Sequence, residues 1–297
     1  MPSLSFAHLT DRALIRMSGP DANHYLQNLV TSDMKTVDQQ GAGSAALLAP
    51  QGKILFDFLI YKDGDSYLLD TPAAAADDLL KRLIFYKLRA KVEPVRLADD
   101  IGVFAVWGGE ANAASAIASI TDPRLPTLGQ RVVGPVAALS SELGGEEAGL
   151  DAYDAHRIGL GVPEGLKDYD YSDIFPHDAD LDQLSGVSFK KGCFVGQEVV
   201  ARMQHRGTAR KRFIQVESAG ALPEKGSGVT VSSKSVGTLG SSAVMDGKSI
   251  GLALLRLDKV AQAKDNGNPL QCGDAELMVR LPEWATFTWP ERTTTAD

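Results

Sequence analysis

Two stretches of this 297-residue chain lie 89 positions apart and resemble each other, which limits how the first half can fold. The first reads LIRMSGPDANHYLQNLVTSD and the second VFAVWGGEANAASAIASITD, with Gly19 matching Gly108 and Asn23 matching Asn112. Each has an apolar run, a glycine break and a helix-like stretch, so a structural repeat predicts two related α+β halves. A chance similarity between two strand-turn-helix units is the alternative.

The region around the first copy carries signals for a sheet covered by helices. Residues 13–17 suit a short strand, and the Gly19-Pro20-Asp21 break puts a proline at the first helical position and an acid at the positive end of the helix. The buried stripe of that helix is predicted to comprise Tyr25, Leu26, Leu29 and Val30. Turn signals then separate strands at 45–49, 53–61 and 66–70, which predict an antiparallel meander followed by a helix over 72–88.

After Arg212 the sequence changes to short β-rich runs separated by glycine-bearing turns, at 213–216, 229–232, 236–241, 250–255 and 276–281. This spacing is typical of a small β-barrel. We therefore predict an α+β fold in five segments: a first α+β half (1–100), a second half (101–150), a return segment (151–212), a C-terminal β-barrel (213–290) and a disordered tail (291–297).

The composition is that of an ordinary globular protein, with 44% hydrophobic residues and a formal net charge of −8. No apolar run approaches the roughly 20 residues that a membrane span requires, and the first residues lack a basic region followed by an apolar core. We therefore expect a cytoplasmic protein without a membrane partner. The two cysteines, Cys193 and Cys272, belong to no CxxC or Cys/His cluster, so neither a disulfide framework nor a bound metal is expected.

Residues 190–212, KKGCFVGQEVVARMQHRGTARKR, hold seven basic residues and one acid, Glu198. The segment carries a charge of +6 in a chain of −8, which leaves −14 for the remainder, so an anionic ligand would be drawn to it. The basic cluster at 202–212 could recognise phosphate, carboxylate or an RNA backbone such as that of tRNA. A solvated helix face is the alternative.

The same segment predicts a helix that starts close to Cys193. Apolar residues recur there at helical spacing, at Val195, Val199, Val200 and Met203. A cysteine just before a helix N-terminus, with Lys190 and Lys191 beside it, favours the thiolate and is nucleophilic or oxidisable. The alternative is that Cys193 is a small buried residue at a strand-helix junction. Cys272 is most simply a buried apolar residue.

The run Lys191-Gly192-Cys193-Phe194-Val195-Gly196-Gln197-Glu198, followed by Ala201-Arg202, resembles the signature KGC(Y/F)xGQE of the YgfZ family of folate-binding proteins. Supporting pieces are Gly19-Pro20-Asp21-Ala22, Gln51-Gly52-Lys53-Ile54-Leu55, Phe175-Pro176 and Gly186-Val187-Ser188-Phe189. YgfZ proteins are similar in structure to the glycine cleavage T-protein, an aminomethyltransferase that uses tetrahydrofolate. The likeness extends over most of this chain.

The resemblance implies a three-part, ring-like molecule with a central channel for tetrahydrofolate or a derivative. It implies a role in the maturation or repair of iron–sulfur enzymes, including those that thiomodify tRNA, with such enzymes or assembly proteins as partners. The cysteine on which the family's function rests falls on Cys193, with Lys191 as its charged neighbour. The expected folate contacts are Asp57, Tyr86, Arg89, Trp107, Lys191, Gln197 and Arg202.

Two departures from the T-protein pattern weaken aminomethyl transfer. Where the T-protein has two adjacent aspartates, this chain has Phe56-Asp57, so one carboxylate remains to handle an amine. The glutamate that holds the pterin ring falls on Gly159, and Glu164 or Asp178 are the carboxylates that could replace it.

Several of these candidates also have a plain structural interpretation. Asp57 could be an acid on a strand with one face in solvent. Tyr86 and Arg89 could belong to a helix C-terminus that is ordinarily rich in cations. Trp107 could be a core residue.

We therefore predict a folate-binding accessory protein that supports iron–sulfur enzymes through Cys193, with Lys191 and Asp57 as further candidates for the reactive site. The first alternative is a tetrahydrofolate-dependent aminomethyltransferase or demethylase, in which Asp57 is the sole acid partner of the amine. The second is a tRNA-binding module that uses the 202–212 cluster.

Overall fold

The computed structural model describes residues 3–207 and 209–290, which form two compact units. The first unit comprises 3–153, 171–176 and 184–201, and the second comprises 154–170, 177–183 and the described residues from 202 onward. The predicted disordered tail at 291–297 lies outside the described residues. The boundaries of the five predicted segments stay predictions.

The first unit contains two five-stranded sheets. Its strands are β1 (Ser5–His8), β2 (Arg12–Ser18), β3 (Ala42–Leu48), β4 (Ile54–Asp63), β5 (Ser66–Pro72), β6 (Glu93–Arg96), β7 (Ile101–Trp107), β8 (Ala118–Thr121), β9 (Gln130–Pro135) and β10 (Glu146–Glu147). One sheet has the order β3-β4-β5-β2-β6 and the other the order β10-β1-β7-β9-β8. Consecutive strands β3, β4 and β5 pair in antiparallel fashion, which confirms the predicted meander.

The helices are α1 (Ala22–Leu29), α2 (Met34–Gln40), α3 (Ala73–Lys87), α4 (Val136–Glu142), α5 (Gly149–Gly159), α6 (Gln197–Arg206) and α7 (Leu257–Asp265). The prediction that Pro20 occupies the first helical position is wrong, because Asp21 is the N-cap of α1 and Pro20 precedes it. The Asp21 carboxylate instead accepts a hydrogen bond from the backbone N–H of Lys91 (2.7 Å). Tyr25, Leu26 and Leu29 form the predicted buried stripe of α1, and Val30 is buried as well but is the extended C-cap of the helix. Among the described helices, none is long and apolar enough to cross a membrane.

The predicted repeat holds for its strand and its turn but not for its helix. The glycines that follow β2 and β7, Gly19 and Gly108, both have positive φ (106° and 79°). The chain enters α1 after Gly19, whereas residues 109–117 form no helix and lead into β8. The second copy offers a helix at 109–117 only one large apolar side chain, Ile117, and helices in proteins depend on burying an apolar face.

The two sheets of the first unit share a core. Side chains of β4 and β5, such as Leu59, Tyr61 and Leu68, pack with Val103 of β7 and Val133 of β9. Burying a large apolar side chain contributes about 1.5–3 kcal/mol relative to exposure. This packing fixes β4, and with it the position of the candidate residue Asp57.

The second unit contains a closed six-stranded barrel. Its strands are β11 (Lys211–Ser218), β12 (Gly228–Val231), β13 (Lys234–Met245), β14 (Lys248–Arg256), β15 (Leu270–Cys272) and β16 (Ala275–Arg280). Their order around the barrel is β11-β14-β13-β12-β15-β16, which confirms the predicted C-terminal barrel. Sequence reasoning missed β15 and α7, whose buried residues Leu257, Val260 and Ala263 belong to the barrel core.

The cysteine loop as the candidate functional site

Cys193 lies in an irregular segment, residues 186–196, that we call the cysteine loop. The loop contains no helix or strand and precedes α6 in the first unit. The Cys193 side chain is exposed, whereas Cys272 is buried in the barrel core. The sulfur of Cys193 is therefore reachable from solvent, and the alternative of a small buried residue is excluded. The interpretation of Cys272 as a buried apolar residue is confirmed.

Helix α6 begins later than the spacing predicts. Its first residue is Gln197, four positions after Cys193, and Val195 lies outside it. The side-chain oxygen of Gln197 accepts a hydrogen bond from the backbone N–H of Phe194 (3.3 Å). Because the helix dipole acts within the first turn, the predicted activation of Cys193 by the helix terminus loses its basis. Exposure of the sulfur is what makes it available.

Lys191 fastens the cysteine loop to the segment that follows α1. Its buried Nζ donates hydrogen bonds to the backbone carbonyl oxygens of Val30 and Ser32, each at 2.7 Å. Burial lowers the pKa of Lys191 to about 8, and the carboxylate of Asp33 opposes this shift. The geometry gives Lys191 the role of an anchor two positions from Cys193, and its part in any chemistry stays a prediction.

Thr31 provides a second attachment for the cysteine loop. Its hydroxyl donates a hydrogen bond to the carbonyl of Gly186 (2.6 Å) and accepts one from the N–H of Ala46 in β3 (2.8 Å). Its backbone carbonyl accepts a hydrogen bond from the N–H of Ser188 (2.9 Å). Thr31 thus joins β3 to the start of the loop. Sequence reasoning missed it, because no local pattern marks a threonine whose partners lie far along the chain.

The end of the cysteine loop packs against the turn between β3 and β4. A β-carbon on Gly196 would approach the carbonyl oxygen of Ala49 to 2.5 Å, and one on Gly52 would approach Cβ of Val199 to 3.0 Å. Both glycines also have positive φ (79° and 82°). Only glycine satisfies both conditions without strain. The structure therefore brings together the Gln51-Gly52-Lys53 turn and the KGC signature, which are separate pieces of the sequence resemblance.

Asp57 lies on β4 and is paired with a tyrosine that sequence reasoning missed. The hydroxyl of Tyr171 donates a hydrogen bond to the Asp57 carboxylate (2.5 Å), and the Tyr171 ring lies 5.6 Å from the ring of Phe56. Burial, assisted by the Asp57 carboxylate, raises the pKa of Tyr171 well above its usual range. Tyr171 is therefore a neutral hydrogen-bond donor to Asp57, which is half-buried on β4.

The other predicted folate contacts lie in different places. Gln197 shares the cysteine-loop region with Cys193, and Trp107 packs on the first unit's core, 5.9 Å from the ring of Tyr153. Tyr86 and Arg89 lie at the end of α3, where Arg89 is exposed. Arg202 is exposed on α6 and belongs to the second unit. The roles of these residues as folate contacts stay predictions.

The basic cluster at 202–212 loses one of its members. Arg212 is buried, and its guanidinium donates hydrogen bonds to the carbonyl of His177 (2.7 Å) and to the carboxylates of Asp182 and Asp180. The prediction that Arg212 is available to an RNA backbone is therefore wrong. The exposed members of the cluster are Arg202, His205, Arg206, Arg210 and Lys211.

Gly159, where the resemblance places the glutamate that holds the pterin ring, lies in the second unit. Gly159 lines a cavity of about 410 Å³, and a β-carbon there would approach Cε of Met245 to 3.0 Å. Of the two carboxylates that could replace the missing glutamate, Glu164 is buried 3.8 Å from the guanidinium of Arg157, and Asp178 is buried as well. Position 159 therefore has no carboxylate, and both candidates for its role are buried side chains.

Comparisons with known proteins agree with this architecture. The GCVT N-terminal domain family matches residues 7–125, and the CAF17 C-terminal beta-barrel domain family matches residues 210–287. The crystal structure of the glycine cleavage system aminomethyltransferase T from Bartonella henselae has a TM-score of 0.74 at 16% identity, and the match covers 94% of this chain and 85% of that one. The chain therefore has the predicted glycine cleavage T-protein-like fold with a closed C-terminal barrel.

Curated relatives identify the family to which this chain belongs within that fold class. The mitochondrial iron–sulfur cluster assembly factor IBA57 homolog of Pyricularia oryzae is 34% identical, over 92% of this chain and 78% of the relative. Human mitochondrial IBA57 is 31% identical, over 95% of this chain and 84% of the relative. The chain belongs to the IBA57 family of iron–sulfur cluster assembly factors.

Two expectations are corrected by these relatives. The signature at Cys193 indicated the YgfZ family, whereas the matches identify the related IBA57 family. The relatives are mitochondrial proteins, so the expectation of a cytoplasmic location is wrong. That expectation followed by default from the lack of a membrane-length apolar run and of a secretory-type start, and neither observation bears on mitochondria.

Proposed function

We propose that this chain supports iron–sulfur cluster assembly by presenting the Cys193 thiolate as a ligand to a cluster in transit. Membership of the IBA57 family supports the class of function. The observation that carries the role of Cys193 is an exposed sulfur on a loop whose backbone is held by the anchors Lys191 and Thr31. On binding iron, the thiol proton passes to solvent.

A single thiolate cannot hold a cluster, because iron–sulfur clusters are ordinarily bound by several cysteines. Within 3–207 and 209–290, no group of three His, Cys, Asp or Glu residues is placed to hold a metal ion. The remaining ligands therefore come from a partner assembly protein or from a second copy of the chain. The cluster is cargo, and Cys193 contacts it during transfer.

The experiment is complementation of cells that lack their own IBA57, using wild type, Cys193→Ser and Cys272→Ser. We expect Cys193→Ser to accumulate as a folded protein and to leave iron–sulfur enzyme activity at the level of the deficient strain. Cys272→Ser, which alters the buried thiol, should restore activity in proportion to its abundance. Full restoration of activity by Cys193→Ser would falsify the proposal.

The finer prediction, that the client enzymes include those that thiomodify tRNA, rests on the resemblance of the signature. The same strains test it through the content of thiolated nucleosides in their tRNA. We expect wild type to restore these nucleosides and Cys193→Ser to leave them depleted. Normal thiolation in the deficient strain would remove this class of client.

Tetrahydrofolate binding is a separate proposal, supported by the fold class and by the Asp57–Tyr171 pair. The missing carboxylate at Gly159 opposes it. Titration of wild type and Asp57→Asn with tetrahydrofolate tests this proposal, since the variant should lose binding if Asp57 is a contact.

An assay for aminomethyl transfer tests the enzymatic alternative. That alternative requires that Asp57→Asn lose transfer activity and that Cys193→Ala keep it.

Binding of tRNA through the exposed members of the basic cluster is the remaining alternative. Each lost phosphate contact should lower the log–log slope of affinity against salt by about one. Arg206→Gln is the suitable variant because Arg206 is exposed near the end of α6. Absence of tRNA binding by wild type at moderate salt would end this alternative.

A further inference from the structure

The end of α3 carries an apolar surface that the described residues, 3–207 and 209–290, leave exposed. Three large side chains project there: Ile84 is 53% exposed, Phe85 70% and Leu88 89%. The buried residues of α3 are Ala75, Ala76, Leu79 and Leu83. At about 100° per residue, Ile84 and Phe85 lie on the side of the helix opposite Leu79 and Leu83. We call Ile84, Phe85 and Leu88 the apolar tip.

The apolar tip lies within the most uniformly basic part of the first unit. The segment 81–91, KRLIFYKLRAK, holds five cations and no acid, although the chain as a whole carries −8. The cations are Lys81, Arg82, Lys87, Arg89 and Lys91, and all but the half-buried Lys87 are exposed. Lys81 is ion-paired with Asp78 (3.0 Å), so Arg82, Lys87, Arg89 and Lys91 supply the positive charge that attracts an anionic surface.

Leu88 gives an independent reason to regard this surface as functional. It is the C-cap of α3 and has φ 45° and ψ −106°, a conformation that disfavours any residue with a side chain. Glycine is the usual residue where a helix ends with positive φ. Leu88 incurs this conformational cost while burying almost nothing within the chain. A contact made outside the chain accounts for a leucine at this position.

Neighbouring aromatic contacts hold the tip in place. The ring of Tyr86 lies edge-on to Phe85, with 5.7 Å between ring centres, and the guanidinium of Arg82 lies 5.8 Å from the centre of the Tyr86 ring. Phe85 is therefore supported from one side and open to solvent on the other. The tip presents apolar side chains outward with cations beside them.

We propose that the apolar tip and the neighbouring cations Arg82, Lys87, Arg89 and Lys91 dock on an anionic lipid surface. Exposed aromatic and aliphatic side chains beside lysines and arginines are the combination that binds the boundary between lipid headgroups and acyl chains. A lipid surface accepts protruding side chains of any shape, whereas a protein partner would need a cleft that matches three of them. The two acids of α3, Asp77 and Asp78, are ion-paired with Arg96 and Lys81, and distant acids weaken the attraction little because the Debye length is about 8 Å at physiological salt.

The contact is peripheral and requires no spanning helix. The expectation of no membrane partner rested on the absence of an apolar run long enough to span, so it did not address a surface of this kind. The proposal is also independent of the role of Cys193, which lies in a different segment of the first unit.

The experiment is flotation of the full-length protein with two kinds of vesicle, phosphatidylcholine alone and phosphatidylcholine mixed with phosphatidylglycerol. We expect wild type to float with the anionic vesicles only, and added salt to release it. Leu88→Gly and Phe85→Ser should each lower the partition coefficient about tenfold, because each removes most of one inserted side chain. The pair Lys87→Gln and Lys91→Gln should lower it roughly tenfold as well.

Leu88→Gly separates binding from folding, because glycine suits the positive φ of this position and should maintain or raise stability to urea. Val244→Ser on β13 is the matched control, since Val244 is 71% exposed and lies in the barrel unit. Val244→Ser and Cys193→Ser should float like wild type, so failure of the lipid contact and failure of the Cys193 proposal are distinguishable. Wild type that stays in the aqueous fraction, or Leu88→Gly that floats normally, overturns the lipid contact.

Discussion

The two cysteines of this chain lie in regions that are stabilised in different ways. The cysteine loop has no regular structure. Polar contacts hold it on either side of Cys193, from Nζ of Lys191 to two carbonyls and from Thr31 to Gly186, and Val187 and Phe194 add two buried apolar side chains. Cys272 lies on β15 of the barrel and is fully buried among apolar side chains such as Val229 and Leu270. Burial raises the pKa of the Cys272 thiol. Polar anchors hold a backbone at the surface without covering its side chains, whereas apolar packing covers them.

This difference explains why one thiol is reachable and the other is inert. The thiolate is the form that binds metals and attacks disulfides, and a buried apolar site disfavours it. The loop backbone is held while the Cys193 side chain stays exposed, because the anchoring contacts are made by backbone groups and Lys191, not by the cysteine. The comparison also implies that the loop depends on few contacts, so that losing one of them matters more there than in the barrel.

Thiol alkylation should give the largest difference between the two regions. Cys193 should react with iodoacetamide in the native protein at a rate close to that of a free thiol. Cys272 can react only when the barrel opens, so its rate should be lower by a factor on the order of 10³ or more. Mass spectrometry of timed aliquots measures both rates, and urea-unfolded protein provides the control in which both thiols react. Comparable native rates would contradict the comparison.

Much of the fold follows from patterns that are local in sequence. The meander β3-β4-β5 was predicted because turn residues separate short apolar runs, and the stripe of α1 was predicted from helical spacing. The helix expected at 109–117 does not form, because similarity to α1 does not supply the apolar side chains that hold a helix. Strand β15 was missed because three residues are too few to give a pattern.

The candidate site was predictable only in part, for a physical reason. Cys193 could be singled out because the signature is contiguous. The anchor between Lys191 and Val30 joins residues 161 positions apart, and the pair Asp57–Tyr171 joins residues 114 positions apart. Such contacts depend on how the sheets and loops pack, so a single sequence contains no periodicity or motif that reports them.

Removal of the Lys191 anchor should have the next largest effect. Lys191→Gln shortens the side chain and leaves the buried carbonyls of Val30 and Ser32 without their donor. Since each unsatisfied buried acceptor costs about 1–3 kcal/mol, loss of the donor to both carbonyls should lower the free energy of unfolding by about 2–6 kcal/mol. Urea titration measures this loss, and the activity assay should show partial loss because the loop is released.

Lys190→Gln is the matched control for this experiment. Lys190 is the exposed neighbour of Lys191, so its substitution by glutamine removes the same charge from the same loop. Its effect on the free energy of unfolding should stay within about 0.5 kcal/mol, as for other surface substitutions. Equal effects of the two substitutions would mean that charge, and not the buried anchor, stabilises the cysteine loop.

The smallest expected effect is a pH dependence that comes from Lys191 alone. Its pKa is about 8 in the folded chain and 10.5 for an ordinary lysine, so between these values the unfolded chain binds more protons than the folded one. The free energy of unfolding of wild type, relative to Lys191→Gln, should therefore rise with pH, by about 1.5 kcal/mol between pH 8 and pH 9.5. Urea titrations of both proteins at these pH values measure the difference, and shared titrating groups cancel in it. The neutral amine keeps two N–H groups for the two carbonyls, so the anchor survives the loss of its proton. A difference that falls as pH rises would instead show that the ammonium charge of Lys191 holds the loop. The contrast with the barrel would then lie in electrostatic attraction to Lys191 rather than in satisfied hydrogen bonds.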